Sequence, residues 1–214
     1  MSEYCLLDTS IDRKIVGCYT QTMGVPDGFT FKMYDKPNSM TKLNNKEFPK
    51  ENPELIWQME PKAKLTDVVS ASNITARGLL CNDKVRDILE KHKLCEHRFY
   101  PATLIYQNSV FDYHWFHPIE QDLDIIDFEK SEFAITDYFR DSLNELIIRN
   151  MKDFKYKFDN KAKGTIISLT KLIAKVKYDI SIFSYILHDD FIISINFKNY
   201  LEHHRIKGIK FHSL

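Results

Sequence analysis

The chain of 214 residues carries 30 basic and 30 acidic side chains, a balance that argues against a whole-chain binder of nucleic acid or of an anionic membrane surface. Its hydrophobic content of 43%, with 15 Phe and 11 Tyr, is ample for a packed core and excludes a disordered chain. No apolar run reaches the roughly 18 residues that a membrane-spanning helix needs.

Residues 3–7 (EYCLL) predict a first strand. The amino-terminal sequence lacks a basic segment followed by an apolar run, so no signal peptide is expected. Residues 20–54 hold Pro26, Pro37, Pro49 and Pro53 with Gly24 and Gly28, and predict a turn-rich region with one short strand at 30–34. Residues 55–59 (LIWQM) predict a strand, and 65–67 open a short segment of unassigned type. Residues 98–106 and 110–119 are aromatic and β-branched and are joined by Gln107, Asn108 and Ser109, which predicts a hairpin. A strand is expected at 124–128 and a helix over 136–150, with Phe139, Leu143, Leu146 and Ile147 on one face. Residues 166–176 fit helix or strand; 182–187 predict a strand, and His188, Asp189 and Asp190 a turn.

One stretch occurs twice. Residues 78–102 lie without a gap over residues 190–214 when shifted by 112 positions. Leu80 then meets Ile192, Val85 meets Phe197, Ile88 meets Tyr200 and Leu89 meets Leu201. Glu90 meets Glu202, His92 meets His204, Leu94 meets Ile206 and Phe99 meets Phe211. Each copy predicts a buried strand, a turn, an amphipathic helix and a second strand. Val85, Ile88 and Leu89 follow the i, i+3, i+4 spacing of one helical face. Asn82 or Asp83 is expected to cap the first helix and Asn196 the second, with Lys207 and Gly208 ending it. Strands and helices mix without strict alternation, so the fold class expected is α+β, with mixed or antiparallel sheets and a few packed helices. The expected organisation is an irregular β segment at 1–77 and an α+β domain at 78–214, together one compact unit.

Signals for chemistry are few. There is no phosphate-binding loop of the Walker type, no GxGxxG and no GxSxG. His97, His114 and His117 cluster in sequence, but His114 and His117 lie three apart on a strand and point to opposite faces. His203 and His204 sit at a helix end, where a cation complements the dipole. His188 and Asp189 have acid–base residue types at a turn that favours Asp anyway. The four cysteines (Cys5, Cys18, Cys81, Cys95) show no CxxC spacing and are expected as reduced thiols of a cytoplasmic protein. No catalytic residue, metal or cofactor is expected. Charge is more telling: from Asp112 to Glu145 ten acids face two bases, and from Arg149 to Lys177 nine bases face two acids. Such runs are either solvated faces that neutralise each other or, as an acidic patch, a surface for a basic partner.

One set of segments stands out: Gly78-Leu79-Leu80 before a helix with Val85 and Leu89, then Arg98-Phe99-Tyr100-Pro101-Ala102. Tyr113 to Ile119, Ile126 to Ser131, and the closing segment with Lys207-Gly208-Ile209-Lys210-Phe211 complete it. In these segments, over residues 78–214, the chain resembles a family of immunity proteins from bacterial polymorphic toxin systems, long catalogued only as a domain of unknown function. The likeness implies an α+β protein that binds a toxin made beside it, without catalytic residues. Asp127 and Ser131 match recurring positions of that pattern and read as turn and capping residues. The partner-binding residues expected from the acidic run are Asp122, Asp124, Asp127 and Glu129, facing a cognate toxin rather than nucleic acid or a membrane. The alternative is a small intracellular hydrolase using His188 and Asp189 or the His114/His117 pair.

Overall fold

The computed structural model describes residues 3–23, 36, 38–137, 144–183 and 190–214. Among these, the strands form three sheets. A four-stranded sheet has the order β10 (Ile180–Ser181), β11 (Phe191–Ser194), β1 (Tyr4–Thr9), β12 (Ile209–Ser213). A five-stranded sheet has the order β2 (Ile56–Gln58), β5 (His97–Tyr106), β6 (Ser109–Pro118), β4 (Leu79–Cys81), β3 (Val68–Val69). A smaller sheet places β7 (Glu132–Asp137) between β8 (Asn144–Leu146) and β9 (Thr165–Lys171). The helices are α1 (Arg13–Val16), α2 (Asp83–Leu89), α3 (Met151–Asn160) and α4 (Ile195–His203). The fold is α+β, with mixed and antiparallel sheets, as the sequence predicts. The described residues before 78 contribute to both large sheets: β1 is a central strand of one, and β2 and β3 lie in the other.

The expected repeat is present and extends further than the sequence overlay. β4, α2 and β5 begin at Leu79, Asp83 and His97; β11, α4 and β12 begin 112 positions later, at Phe191, Ile195 and Ile209. β3 and β10 keep the same offset: Val68 pairs with Cys81 and Ile180 with Ile193. In each unit the two outer strands are parallel, with one antiparallel strand between them, β6 in the first and β1 in the second. The registers of these central strands agree as well. Trp115 faces Leu80 and Phe116 faces both Leu79 and Phe99; Leu6 faces Ile192 and Leu7 faces both Phe191 and Phe211.

Alternation along the strands builds three cores. Cys5, Leu7, Phe191 and Ile193 share one core with Leu79, Cys81 and Phe116, and both α2 and α4 contribute to it through Val85, Leu89, Phe197 and Leu201. The opposite face of the four-stranded sheet, with Tyr4, Leu6 and Ile192, packs on β7, β9 and α3. The opposite face of the five-stranded sheet, with Leu80, Tyr113 and Trp115, is covered by Met40, Leu43, Leu55 and Ala63.

The hairpin forms as predicted. Tyr106 pairs with Ser109 across a two-residue loop. Gln107 and Asn108 both have positive φ (49° and 62°), the conformation that matches the right-handed twist of the flanking strands. Asn82 caps α2 by accepting from the Val85 amide.

Other expectations need correction. The described part of the helix expected over 136–150 is not helical: β7 and β8 pair antiparallel, Phe133 with Leu146 and Ile135 with Asn144. Its apolar spacing is compatible with either period, and the far edge of β7 pairs with β9, distant in sequence, which overrides the local preference. Phe139 and Leu143 lie outside the described residues. Asn150 does not close a helix but opens one, since it caps α3 by accepting from Asp153 N. The strand expected at 124–128 is a 3-10 turn, Leu123–Ile125, followed by an isolated bridge from Ile126 to Ala174. Residues 166–176 resolve to β9 and the chain after it. Of the strand expected at 182–187 only Ile182 and Phe183 are described, and they follow β10 as irregular chain; residues 184–187, His188, Asp189 and the strand expected at 30–34 lie outside the described residues. Ser194, not Asn196, caps α4, accepting from Phe197 N. That helix ends at His203, and Arg205 takes the left-handed turn (φ 53°). Gly208 instead lets the incoming chain pass close to β3.

Candidate functional site

The acidic stretch winds around the 3-10 turn and the tight turn that follows it. Asp122 precedes the 3-10 turn, and its side chain makes no capping bond. Asp122, Asp124 and Glu129 are exposed, and none of the three makes a side-chain ion pair among the described residues. Asp127 differs. Its Oδ2 lies 2.8 Å from Lys130 Nζ, and its carbonyl accepts from Ser131 N at 2.9 Å. The hydrogen bond from Lys130 holds the Asp127 carboxyl below the usual carboxylate range. Ser131 Oγ donates to Ile173 O and accepts from Ile173 N, tying the turn to the chain after β9. Asp127 and Ser131 are therefore turn-forming residues, as their place in the sequence suggested, while Asp122, Asp124 and Glu129 present carboxylates to solvent.

Asp122 also lines a cleft of about 590 Å³. Leu123, Met151, Phe154 and Phe158 supply its apolar lining, and Lys46 and Lys155 share its edge with Asp122. The basic run partly answers the acidic one: Lys171 pairs with Glu132 at 2.5 Å, and Lys175 Nζ donates to the Asp124 carbonyl at 2.8 Å. Beside the cleft, Arg77 and Glu120 form an ion pair at 2.6 Å that is largely shielded from solvent. Arg77 thereby anchors the chain where it leaves the five-stranded sheet. Sequence reasoning missed this pair, because 43 positions separate its members.

The histidines among the described residues do not converge on one point. His114 Nε2 lies 2.8 Å from Asp83 Oδ1 and 2.9 Å from Arg86 Nη1, a cluster at the surface end of α2. The bond to His114 holds Asp83 below its ordinary pKa. His117, on the other face of β6, is fully buried, and its Nε2 donates to Asn44 O at 2.8 Å. Burial lowers the His117 pKa and favours the neutral ring. His97 Nδ1 donates to the Cys95 carbonyl, and His204 Nδ1 to that of Tyr200 near the end of α4. No group of three or more His, Cys, Asp or Glu side chains is arranged to hold a metal ion among the described residues. All four cysteines are free thiols. Burial pushes the Cys95 thiol up to about 12 and that of Cys81 higher still, so neither is a ready thiolate.

No family model matches the sequence, and no curated protein matches it. The geometry alone therefore describes this surface: exposed carboxylates without ion pairs among the described residues, one of which, Asp122, lines a partly apolar cleft, with no assembled nucleophile or acid–base pair beside them among the described residues. No helix among the described residues is long and apolar enough to cross a membrane.

Proposed function

We propose that the protein is an immunity protein that binds a cognate bacterial toxin and neutralises it by occupation rather than turnover, in the cytoplasm. The observation that carries the reading is that Asp122, Asp124 and Glu129 are exposed and without an ion pair among the described residues, with Asp122 lining the cleft. Carboxylates left free of internal partners are available to a basic surface, and a toxin that attacks nucleic acid is basic where it grips phosphate. The resemblance over residues 78–214 supports the same reading. Asp127, already bound to Lys130, contributes shape more than charge.

The test is co-expression with the toxin-like domain encoded in the neighbouring reading frame. Growth should be rescued by this protein in proportion to the amount made, and the two purified proteins should form a stable one-to-one complex. Rescue that persists at a large excess of toxin would indicate turnover and overturn the reading.

A further inference from the structure

Asp67 and Asp179 stand at matched places, immediately before β3 and one residue before Ile180 of β10, 112 positions apart. Asp67 Oδ1 accepts from Asn82 Nδ2 at 3.0 Å; Asp179 Oδ1 accepts from Ser194 Oγ at 2.8 Å. Asn82 and Ser194 are the caps of α2 and α4. The amide of each cap donates to the carbonyl of its own aspartate, both at 3.0 Å. One carboxylate oxygen thus fixes the helix start within each half.

The second oxygen reaches across to the other half. Asp179 Oδ2 accepts from Lys93 N at 3.2 Å and lies 3.2 Å from His92 Nδ1. Asp67 Oδ2 accepts from Lys207 N at 2.8 Å. Lys93 and Lys207 belong to corresponding straps that join helix to second strand. Backbone bonds reinforce both crossings: Val68 N to Lys207 O at 3.0 Å, Asp179 N to Lys93 O at 2.7 Å and Cys95 N to Ile180 O at 3.1 Å. The shared core repeats the reciprocity, with Val85 and Leu89 of one half and Phe197 and Leu201 of the other contributing side chains to one cluster.

We infer that the chain is a pseudo-dimer, in which two copies of one unit dock through an isologous face closed by the Asp67 and Asp179 clasps. The partner this face fits is a second copy of the same unit, supplied here within one chain. The first copy is β3–β4–α2–β5 with β6 at its centre; the second is β10–β11–α4–β12 with β1. A chance recurrence of strand–helix–strand would explain the offset of the helices. It would not explain matched registers in central strands that enter from different parts of the chain, nor two carboxylates that each bond one cap and one opposite strap. In a two-fold interface residue i meets j and j meets i; the aspartates and straps follow that rule element by element, with the strap contact shifted by two positions, since Asp67 meets Lys207 while Asp179 meets Lys93, whose counterpart at the 112-residue offset is Arg205. Among the described residues the small sheet and α3 have no counterpart in the first copy and stand outside the clasp.

The test uses the full chain, with urea midpoints from circular dichroism and amide hydrogen exchange by NMR. Asn and Ser both accept from a helix amide and donate to a carboxylate, so Asn82→Ser and Ser194→Asn should leave the midpoint at the wild-type value, whereas Asn82→Ala and Ser194→Ala should lower it by similar amounts. Asp67→Asn should speed exchange at Lys207, and Asp179→Asn at Lys93, each in the opposite half. Exchanged caps as damaging as alanine, or aspartate variants whose exchange rises only within their own half, would overturn the inference.

Discussion

Leu89 and Leu201 stand at the same point of two copies of one unit, 112 positions apart, and both are buried in the core that the two large sheets share. Each fills the inner face of its helix over its own sheet. Truncating either removes apolar contacts and leaves a cavity that close-packed surroundings fill only partly. Leu89→Ala and Leu201→Ala are each expected to destabilise the protein by about 2–5 kcal/mol. Urea unfolding of the two variants checks this; a loss confined to one leucine would mean that the copies are packed differently.

Gly208 shows why one backbone position tolerates no side chain. Its φ is +92°, and a Cβ built there, in the strap after α4, would lie 1.8 Å from the carbonyl oxygen of Val68 in β3 of the other half. Gly164 has φ +85° but nothing within 4 Å of the same position. Gly164→Ala is expected to cost about 1–2 kcal/mol, the penalty of a left-handed alanine alone. Gly208→Ala should cost clearly more, because backbone must also move. Unfolding curves of the two variants measured side by side separate conformational cost from steric cost.

The periodicity of Val85, Ile88 and Leu89, the Asn82 cap and the Gln107-Asn108 hairpin were legible because each depends on residues a few positions apart. The pairing of β7 with β9 was not: Phe133 meets Leu169, and no local pattern announces a partner so distant. α3 could have been found, since Asn150 followed by an acid at Asp153 is a capping signal that the 136–150 helix reading consumed. The equivalence of β1 and β6 was hidden because β1 comes before its unit and β6 after, so no single offset aligns all the strands. At the candidate site the acidic character was legible from the sequence, as was Asp127 as a turn residue, but its ion pair with Lys130 came from the structure. The spatial union of Asp122 with Leu123, Phe154 and Phe158 was not.

His117 makes stability depend on pH. Its folded pKa lies below the ordinary 6.5 because burial disfavours the charged ring. The unfolded chain therefore takes up a proton more readily than the folded one, and the stability contributed by neutral His117 is fully present above about pH 6.5. It is lost as the pH falls through the folded value. His117→Gln keeps a donor for the Asn44 carbonyl but cannot titrate. Urea midpoints between pH 7.5 and 5 should fall less steeply for that variant than for the wild type; parallel slopes would show that other groups set the acid limb.

Metal removal should leave the fold untouched. His97, His114 and His117 are each bonded within the protein to different groups, and no ligand cluster forms among the described residues. Thermal melts with and without a strong chelator are expected to coincide. A marked drop in the chelated sample would reveal a structural ion, since metal affinity for the folded state appears directly as stability.

Asp122 and Asp124 give the most direct access to function. Both are exposed, and neither side chain is engaged in an ion pair among the described residues. Reversing them to lysine should therefore change stability by no more than about 0.5 kcal/mol, as is usual for surface positions. Their effect on a basic partner should be larger and kinetic. Exposed charges at the edge of an interface steer diffusional encounter, which raises the association rate and makes it sensitive to salt. At about 0.15 M ionic strength the screening length is only about 8 Å, so the steering should fade over the range from dilute buffer to high salt. The double variant Asp122→Lys and Asp124→Lys is expected to bind the cognate toxin more slowly at low salt and to converge on the wild-type rate as salt increases. Dissociation should change less than association. Stopped-flow association rates against ionic strength, with circular dichroism to confirm that both proteins are folded, provide the comparison. Equal rates and equal salt slopes would move the interface away from this acidic turn while leaving the immunity reading to stand on complex formation itself.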